Sequence, residues 1–347
     1  LKKQIIFLFI ACLTFFYPLQ IVSADENPEA LVRSEALLDT FTQITIYPND
    51  ANSKQAMDEA FKYIEAMAQL FSEFEEGTDI SQINAAAGRD PIKVHPQTLE
   101  LIEYGLKKSQ NFESVFDITI GPISYPWKKA ADQNTIPSEA TIKESLNLID
   151  YHQVVVNHSD SSIYLKKEKM RLDLGSISKG YIADGVARIL KEHQIDKAII
   201  NLGGNLVLLG TKPNNAQPWT VGVQNPGHET GSVVGSLPIT NKSVVTSGIY
   251  ERFVEVDGIK YHHLLNPKTG FPIDNTLASV TIITDRSLEA DAYATIVFGL
   301  GLEEGMHYIN QSPDLEAIFI TKDQEVYLSQ GVKDFKLLDE QYQIFNP

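Results

Sequence analysis

RLDLGSISKGYIADGVAR, residues 171–188, passes from an apolar run through Gly175 and Ser176 into an amphipathic stretch carrying Lys179, Gly180, Tyr181 and Asp184. The pattern predicts a short strand over 170–174 that turns directly into a helix. The first N–H groups of a helix have no intrahelical partner, and the helix dipole adds partial positive charge there, so such a turn is a ready seat for an anion. Lys179 adds a full positive charge in the same turn, and Asp173 stands at the strand's end, where a carboxylate can meet a ligand's polar ring or a metal. Taken alone, the stretch is read equally well as a βα unit with an ordinary polar rim.

Outward from this stretch the chain alternates strand-like and helical segments without repeats or a linker rich in Pro, Gly or Ser. Residues 36–47 read as a strand, and Asn52 or Ser53 opens a helix expected to reach about Phe74. A loop with one helical turn follows over 74–84, then a helix from Pro96 to about Ser109. Residues 112–127 (FESVFDITIGPISYPW, after Asn111) are too irregular for one regular element, and Ser138 caps a short helix. Strands are expected over 154–156, 163–165, 198–202, 205–209, 219–224, 233–239, 243–246, 250–256, 261–265, 278–283, 316–320 and 325–328. Helices are expected over 287–299 and 303–311. The sum is one α+β domain, two-lobed, of mixed sheet and helices.

The 347 residues suffice for a large core. A formal net charge of −16 excludes binding that runs on neutralising phosphates with Lys and Arg, so nucleic acid is not an expected partner. Lys2 and Lys3 precede an apolar run over 5–22, and Val22-Ser23-Ala24 is a small-residue cleavage signal. Residues 1–24 therefore read as a secretory signal peptide and 25–347 as the working domain, extracytoplasmic, with membrane association through the N-terminus as the alternative to full release. Cys12, the only cysteine, lies in a weak lipoprotein-type site; cleavage after Ala24 leaves a chain with no thiol chemistry.

Three further places could carry chemistry. Asp291 and Thr295 stand four apart on one helical face among small alanines, and a carboxylate with a hydroxyl suits a hard cation such as Mg²⁺. Taken singly, they are equally an exposed Asp and a Thr bonding back to a carbonyl. His262 and His263 are neighbours on an expected strand, so only one of them can face a given site. Asn201-Leu202-Gly203-Gly204-Asn205 places two glycines after a buried strand but is no dinucleotide fingerprint, and no Walker-type loop exists in the sequence.

Six stretches, in order, resemble the ApbE-type flavin transferases, the FAD:protein FMN transferases. They are FDITIGP (116–122), DLGSISKGYIAD (173–184), INLGGN (200–205), VVTSG (244–248), HLLNPKTG (263–270) and EADAYAT (289–295). The resemblance runs from about Leu38 to at least Gly301. It implies an Mg²⁺-dependent enzyme that moves FMN from FAD to a threonine hydroxyl of an acceptor protein, expected to be a membrane or surface electron-transfer protein, and releases AMP. By the same resemblance Leu38, Phe74, Val115, Phe116, Asp117, Asp173, Lys179 and Leu265 contact FAD. Ser176 (through its backbone), Asp291 and Thr295 hold the metal, and His263 is the catalytic base. Asn266 stands where the family commonly has Asp, and Asp39 where it commonly has Gly. Two other readings fit the same pattern: an Mg²⁺-dependent FAD pyrophosphatase giving FMN and AMP, and a non-catalytic flavin-binding protein.

Overall fold

The run LASVTIIT has no polar face to offer water, and the strand it forms, Leu277–Thr284, is buried along its whole length. The structure, a computed structural model, describes residues 30–228 and 231–345; the signal segment expected over 1–24 lies outside the described residues. Leu277–Thr284 is a central strand of a nine-stranded sheet. Its order is Leu31–Leu37, Thr40–Tyr47, Lys197–Leu202, Asn205–Leu209, Ser243–Gly248, Leu277–Thr284, Glu316–Thr321, Glu325–Leu328, Gln343–Phe345. Every neighbouring pair is antiparallel except the last, which is parallel.

Antiparallel sheets often leave one face to water; here both are covered, which is why so many strands read as unbroken apolar runs. Alternate residues divide between two cores. Ile200, Leu202, Val207 and Leu209 face the helices. Ile199, Leu206 and Leu208 face the other way, against Trp219, Val221 and Leu237 of a three-stranded sheet. The helices are α1 (Ala51–Phe71), α2 (Asp79–Ala86), α3 (Pro96–Asn111), α4 (Gly121–Ala131), α5 (Glu139–Leu146), α6 (Ser178–Glu192) and α7 (Ser287–Asn310). This is the expected α+β class in a single domain.

Several expectations are corrected by where backbone hydrogen bonds go. Residues 170–174 are extended but join no sheet. The side chain of Asn84 takes up both polar groups of Leu172, accepting from its N–H at 2.6 Å and donating to its carbonyl at 3.0 Å. The Asp173 N–H donates to the Ile118 carbonyl at 2.9 Å. The helix then starts at Ser178, after a turn over 175–177, as the passage through Gly175 and Ser176 leads one to expect. The strand expected over 36–47 is the second half of a hairpin whose two-residue turn is Leu38 (φ 58°) and Asp39 (φ 54°). α1 begins two or three residues earlier than expected, because the Asp50 side chain accepts from the Ser53 N–H at 2.8 Å, and it stops at Phe71. The second half of the stretch left irregular is α4, opened by Pro122 in its first turn, where a missing N–H costs nothing. α7 is one run broken at Gly301 (φ 80°, ψ −175°), matching the two helices expected there.

The closest helix–helix contact near the motifs is between the first turns of α6 and α7. A Cβ on Gly180 would lie 2.4 Å from the Ser287 carbonyl oxygen and 2.7 Å from the Leu288 Cα, so only glycine lets the two backbones meet. Each helix then caps the other. The Gly180 N–H donates to Asp291 Oδ2 at 2.8 Å. The Ser287 and Leu288 N–H groups donate to the Asp184 carboxylate at 2.7 and 3.1 Å. Neither helix has a side-chain cap from its own N-cap residue, Ile177 or Arg286. Burial raises the Asp184 carboxyl, and the two N–H donors oppose that rise. Removing this cap by Asp184→Ala is expected to lower stability by about 1–2 kcal/mol. The urea midpoint should fall with the slope unchanged; an unmoved midpoint would show that the cross-capping does not hold the helices.

Candidate active site

Cross-capping sets Asp291, buried at 5% exposure, against the turn that carries Ser176. The Gly180 N–H goes to Asp291 where one more turn of helix would have used the Ser176 carbonyl four residues back. Thr295 lies one turn further along α7 on the face of Asp291. A carboxylate at Asp291, a hydroxyl at Thr295 and the Ser176 carbonyl would all be hard oxygens, a chemistry that would fit Mg²⁺ with water and phosphate completing its shell. Among the described residues no group of three or more His, Cys, Asp or Glu is placed to hold an ion; a set with a single carboxylate is outside that pattern.

The histidine pair is resolved by the register. The strand Ile259–His262 ends at His262, whose buried ring faces the Ile273 carbonyl, Nε2 to oxygen 3.1 Å. His263 follows the strand and turns outward. Its backbone N–H donates to the Arg252 carbonyl at 3.0 Å, and its Nδ1 lies 3.2 Å from the same oxygen. A carbonyl only accepts, so Nδ1 carries the hydrogen and Nε2 keeps a free lone pair directed away from that anchor.

His263 has an open side to solvent, yet burial, then the Arg252 and Lys179 cations, hold its imidazole down to about 3. Glu251 shows the same combination with the opposite sign. It is solvent-accessible, yet burial raises its carboxyl to about 7, with Asp291 adding to the rise and Lys179 and Arg252 opposing it. Lys179 and Arg252 lie close enough for both His263 and Glu251 to feel their charges, and Asp291 close enough for Glu251 to feel its own. Glu251 carries no motif-level signal beyond its place between Tyr250 and Arg252, and sequence reasoning missed it.

A second group lies at the other end of the 173–179 turn. Asp173 Oδ1 accepts from the Gly175 N–H at 2.8 Å, which shapes the turn. Glu73 sits against it, its carboxyl raised to about 9 by burial first and then by the Asp173 charge, so it is neutral at physiological pH. Phe74, next to Glu73, is exposed, and Lys128 links it to the hairpin tip beside Leu38 through an ion pair with Asp39 at 3.7 Å. A leucine with φ 58° is uncommon, and such residues persist where the surroundings enforce them.

The remaining expected contacts are less open. Phe116 is buried in the main core, and Leu265 in the small cluster with Ile123, Trp127 and Ile142. Val115 is half-buried beneath Gly299. Both Asp117 oxygens are occupied: Oδ1 accepts from the Thr119 N–H and hydroxyl, each at 2.7 Å, and Oδ2 from the Tyr151 N–H at 3.3 Å. This segment can meet a ligand through its backbone. The Asn266 side chain likewise closes its own turn, accepting from the Lys268 N–H at 2.8 Å.

The imidazole of His263 offers a direct check. The folded ring stays neutral while the unfolded one takes up a proton below about pH 6.5. Stability therefore falls as pH drops from there toward about 3. In an NMR titration of the histidine ring protons, the signal lost in His263→Gln should not move through the usual imidazole range; a midpoint near 6.5 would contradict a desolvated ring beside Arg252 and Lys179.

The chain is similar to known proteins over most of its length. The ApbE family model matches residues 38–319. A Klebsiella pneumoniae (strain 342) FAD:protein FMN transferase is 38% identical over 287 residues, 82% of this chain and 89% of the relative. A Treponema pallidum (strain Nichols) FAD:protein FMN transferase is 32% identical over 326 residues, 89% of this chain and 90% of the relative. The crystal structure of the ApbE protein of Thermotoga maritima superposes with a TM-score of 0.79 at 25% identity, covering 87% of this chain and 97% of that one. The fold of the flavin transferase ApbE from Vibrio cholerae is also similar, with a TM-score of 0.77 at 24% identity over 87% of this chain and 97% of that one. With a family match spanning most of its length, the chain belongs to the ApbE family.

Proposed function

We infer that the protein is an FAD:protein FMN transferase, and the observation that carries this reading is His263, anchored through Nδ1 to the Arg252 carbonyl with Nε2 free and near enough to Lys179 to feel its charge. The relatives named for this activity span most of the chain. Lys179, at the start of α6, binds the pyrophosphate of FAD through its ammonium charge. His263 Nε2 takes the proton of an acceptor threonine as its oxygen attacks the phosphorus of the FMN half. The new P–O bond forms as the bond to AMP breaks, and AMP leaves with the bridging oxygen. Phosphoryl-type transfer asks mainly for such positioning and charge neutralisation. The Ser176 carbonyl, Asp291 and Thr295 would hold a magnesium ion, which supplies positive charge at a pyrophosphate when bound.

An imidazole held at about 3 is a weak base by equilibrium, yet a neutral one is always ready to accept. Its Arg252 anchor fixes the ring so that no rotation is needed. The chain acts outside the cytoplasm on a membrane or surface electron-transfer protein; the basic start, apolar run and Val22-Ser23-Ala24 signal support this placement.

Incubation with FAD, Mg²⁺ and an acceptor protein bearing a flavinylation threonine should give a fluorescent acceptor band on a denaturing gel. Free FMN with no labelled band would show a pyrophosphatase instead, and no product at all would leave a binder. His263→Ala should lose roughly 10²–10⁴-fold in transfer rate while still binding FAD; full activity would remove it as the base. Asp291→Ala should abolish metal-dependent AMP release, and release at the wild-type rate would contradict the metal assignment. Mass spectrometry of the mature protein should find its N-terminus at Asp25; an intact leader or a lipid on Cys12 would overturn cleavage after Ala24.

A further inference from the structure

Phe74 and Tyr125 leave 43% and 40% of their surface in water, yet their rings lie near-parallel, centroids 6.2 Å apart and planes 16° from parallel. A single exposed aromatic needs no explanation, but two aromatic side chains held together at the surface do. The pair is fixed by cations. Lys128 Nζ lies 3.2 Å from the Phe74 ring centroid, and the Arg171 guanidinium carbon lies 4.4 Å from that of Tyr125. Both contacts fall within cation–π range.

Beside the rings the polar groups are incomplete. Arg171 Nη2 is 3.8 Å from Glu73 Oε2, longer than a hydrogen bond, and both Arg171 Nε and Glu73 Oε2 are buried without a partner. The Glu73 side chain is only 7% exposed. Buried polar atoms are nearly always partnered. Two orphans next to an exposed aromatic pair describe a place that a flat, polar-edged molecule would complete. The cluster touches Asp173, at one end of the turn whose other end carries Lys179.

We propose that Tyr125, braced by Arg171, is the second ring of a platform that takes the isoalloxazine, and that this stacking selects a flavin dinucleotide over other adenine nucleotides. The proposal rests on the FAD reading above. It assigns a binding role to a residue of α4 outside the expected contacts. The ring system of a flavin presents broad apolar faces to Phe74 and Tyr125 and a polar edge of carbonyls and N–H. ADP shares the phosphates and adenine of FAD but has nothing to lay on the platform.

Binding of riboflavin, FAD and ADP to the full chain, by calorimetry and by quenching of flavin fluorescence, tests this. Tyr125→Ala should weaken riboflavin and FAD about 10- to 100-fold, the loss typical of removing one aromatic stacking partner. It should leave ADP within about twofold, and Tyr125→Phe should keep the flavin affinity. Unchanged riboflavin binding in Tyr125→Ala would overturn the proposal, and so would an equal loss for ADP, which would mark the ring as structural. Wild-type protein that binds ADP but not riboflavin would overturn the platform alone. Wild-type protein that binds neither FAD nor ADP would overturn the FAD reading and the platform with it.

Discussion

Asp291 holds the first turn of α6 to α7 by accepting the Gly180 N–H at 2.8 Å, and much of the site's geometry depends on that one bond. It closes only because residue 180 has no side chain, since a Cβ there would meet the Ser287 carbonyl at 2.4 Å. Asp184 returns the cap to Ser287 and Leu288, so the two helix starts are locked face to face. Both helix dipoles then point positive ends toward one spot, where negative charge is favoured. A carboxylate used in this way is preorganised: one oxygen is fixed by the backbone and the other is presented in a known direction. The same contact that stabilises the helix pair therefore positions the oxygen set expected to hold a cation.

From that brace the site extends in two directions. Toward the strand Ile259–His262 lies the polar group of Lys179, Glu251, Arg252 and His263, where burial and like charges depress the imidazole and raise the carboxyl. Toward α4 lies the aromatic pair with neutral Glu73 and Asp173 behind it. The 173–179 turn joins the two ends, and Asn84, by taking both backbone groups of Leu172, fixes where that turn begins. A molecule with a flat ring at one end and a pyrophosphate in the middle matches this division of chemistry.

Much of the fold was legible because its signals were local. Trp219–Gln224 and Val233–Ile239 follow from alternation and turns, and α3 and α5 from Pro96 and the Ser138 cap. What escaped depended on distant partners. Residues 170–174 look like a strand, but their partners are a side chain of α2 and a loop carbonyl, which no period reveals. α4 was hidden by Pro122 and Pro126, which suggest irregular chain. At the site, ordered motifs pointed to Asp291, Lys179 and His263, and alternation showed that only one histidine could serve. The register turns His262 into the core and leaves His263 exposed. Tyr125, Glu73 and Glu251 are ordinary residues at ordinary positions. They gain meaning only from what tertiary contact places beside them.

A crystal structure of the protein soaked with FAD and Mn²⁺, with an anomalous difference map to locate the ion, is the decisive measurement. The flavin ring should lie against Phe74 and Tyr125, the pyrophosphate at the start of α6, and the anomalous peak between Asp291, Thr295 and the Ser176 carbonyl. A dinucleotide lying in the reverse direction, or a metal peak away from Asp291, would contradict this arrangement.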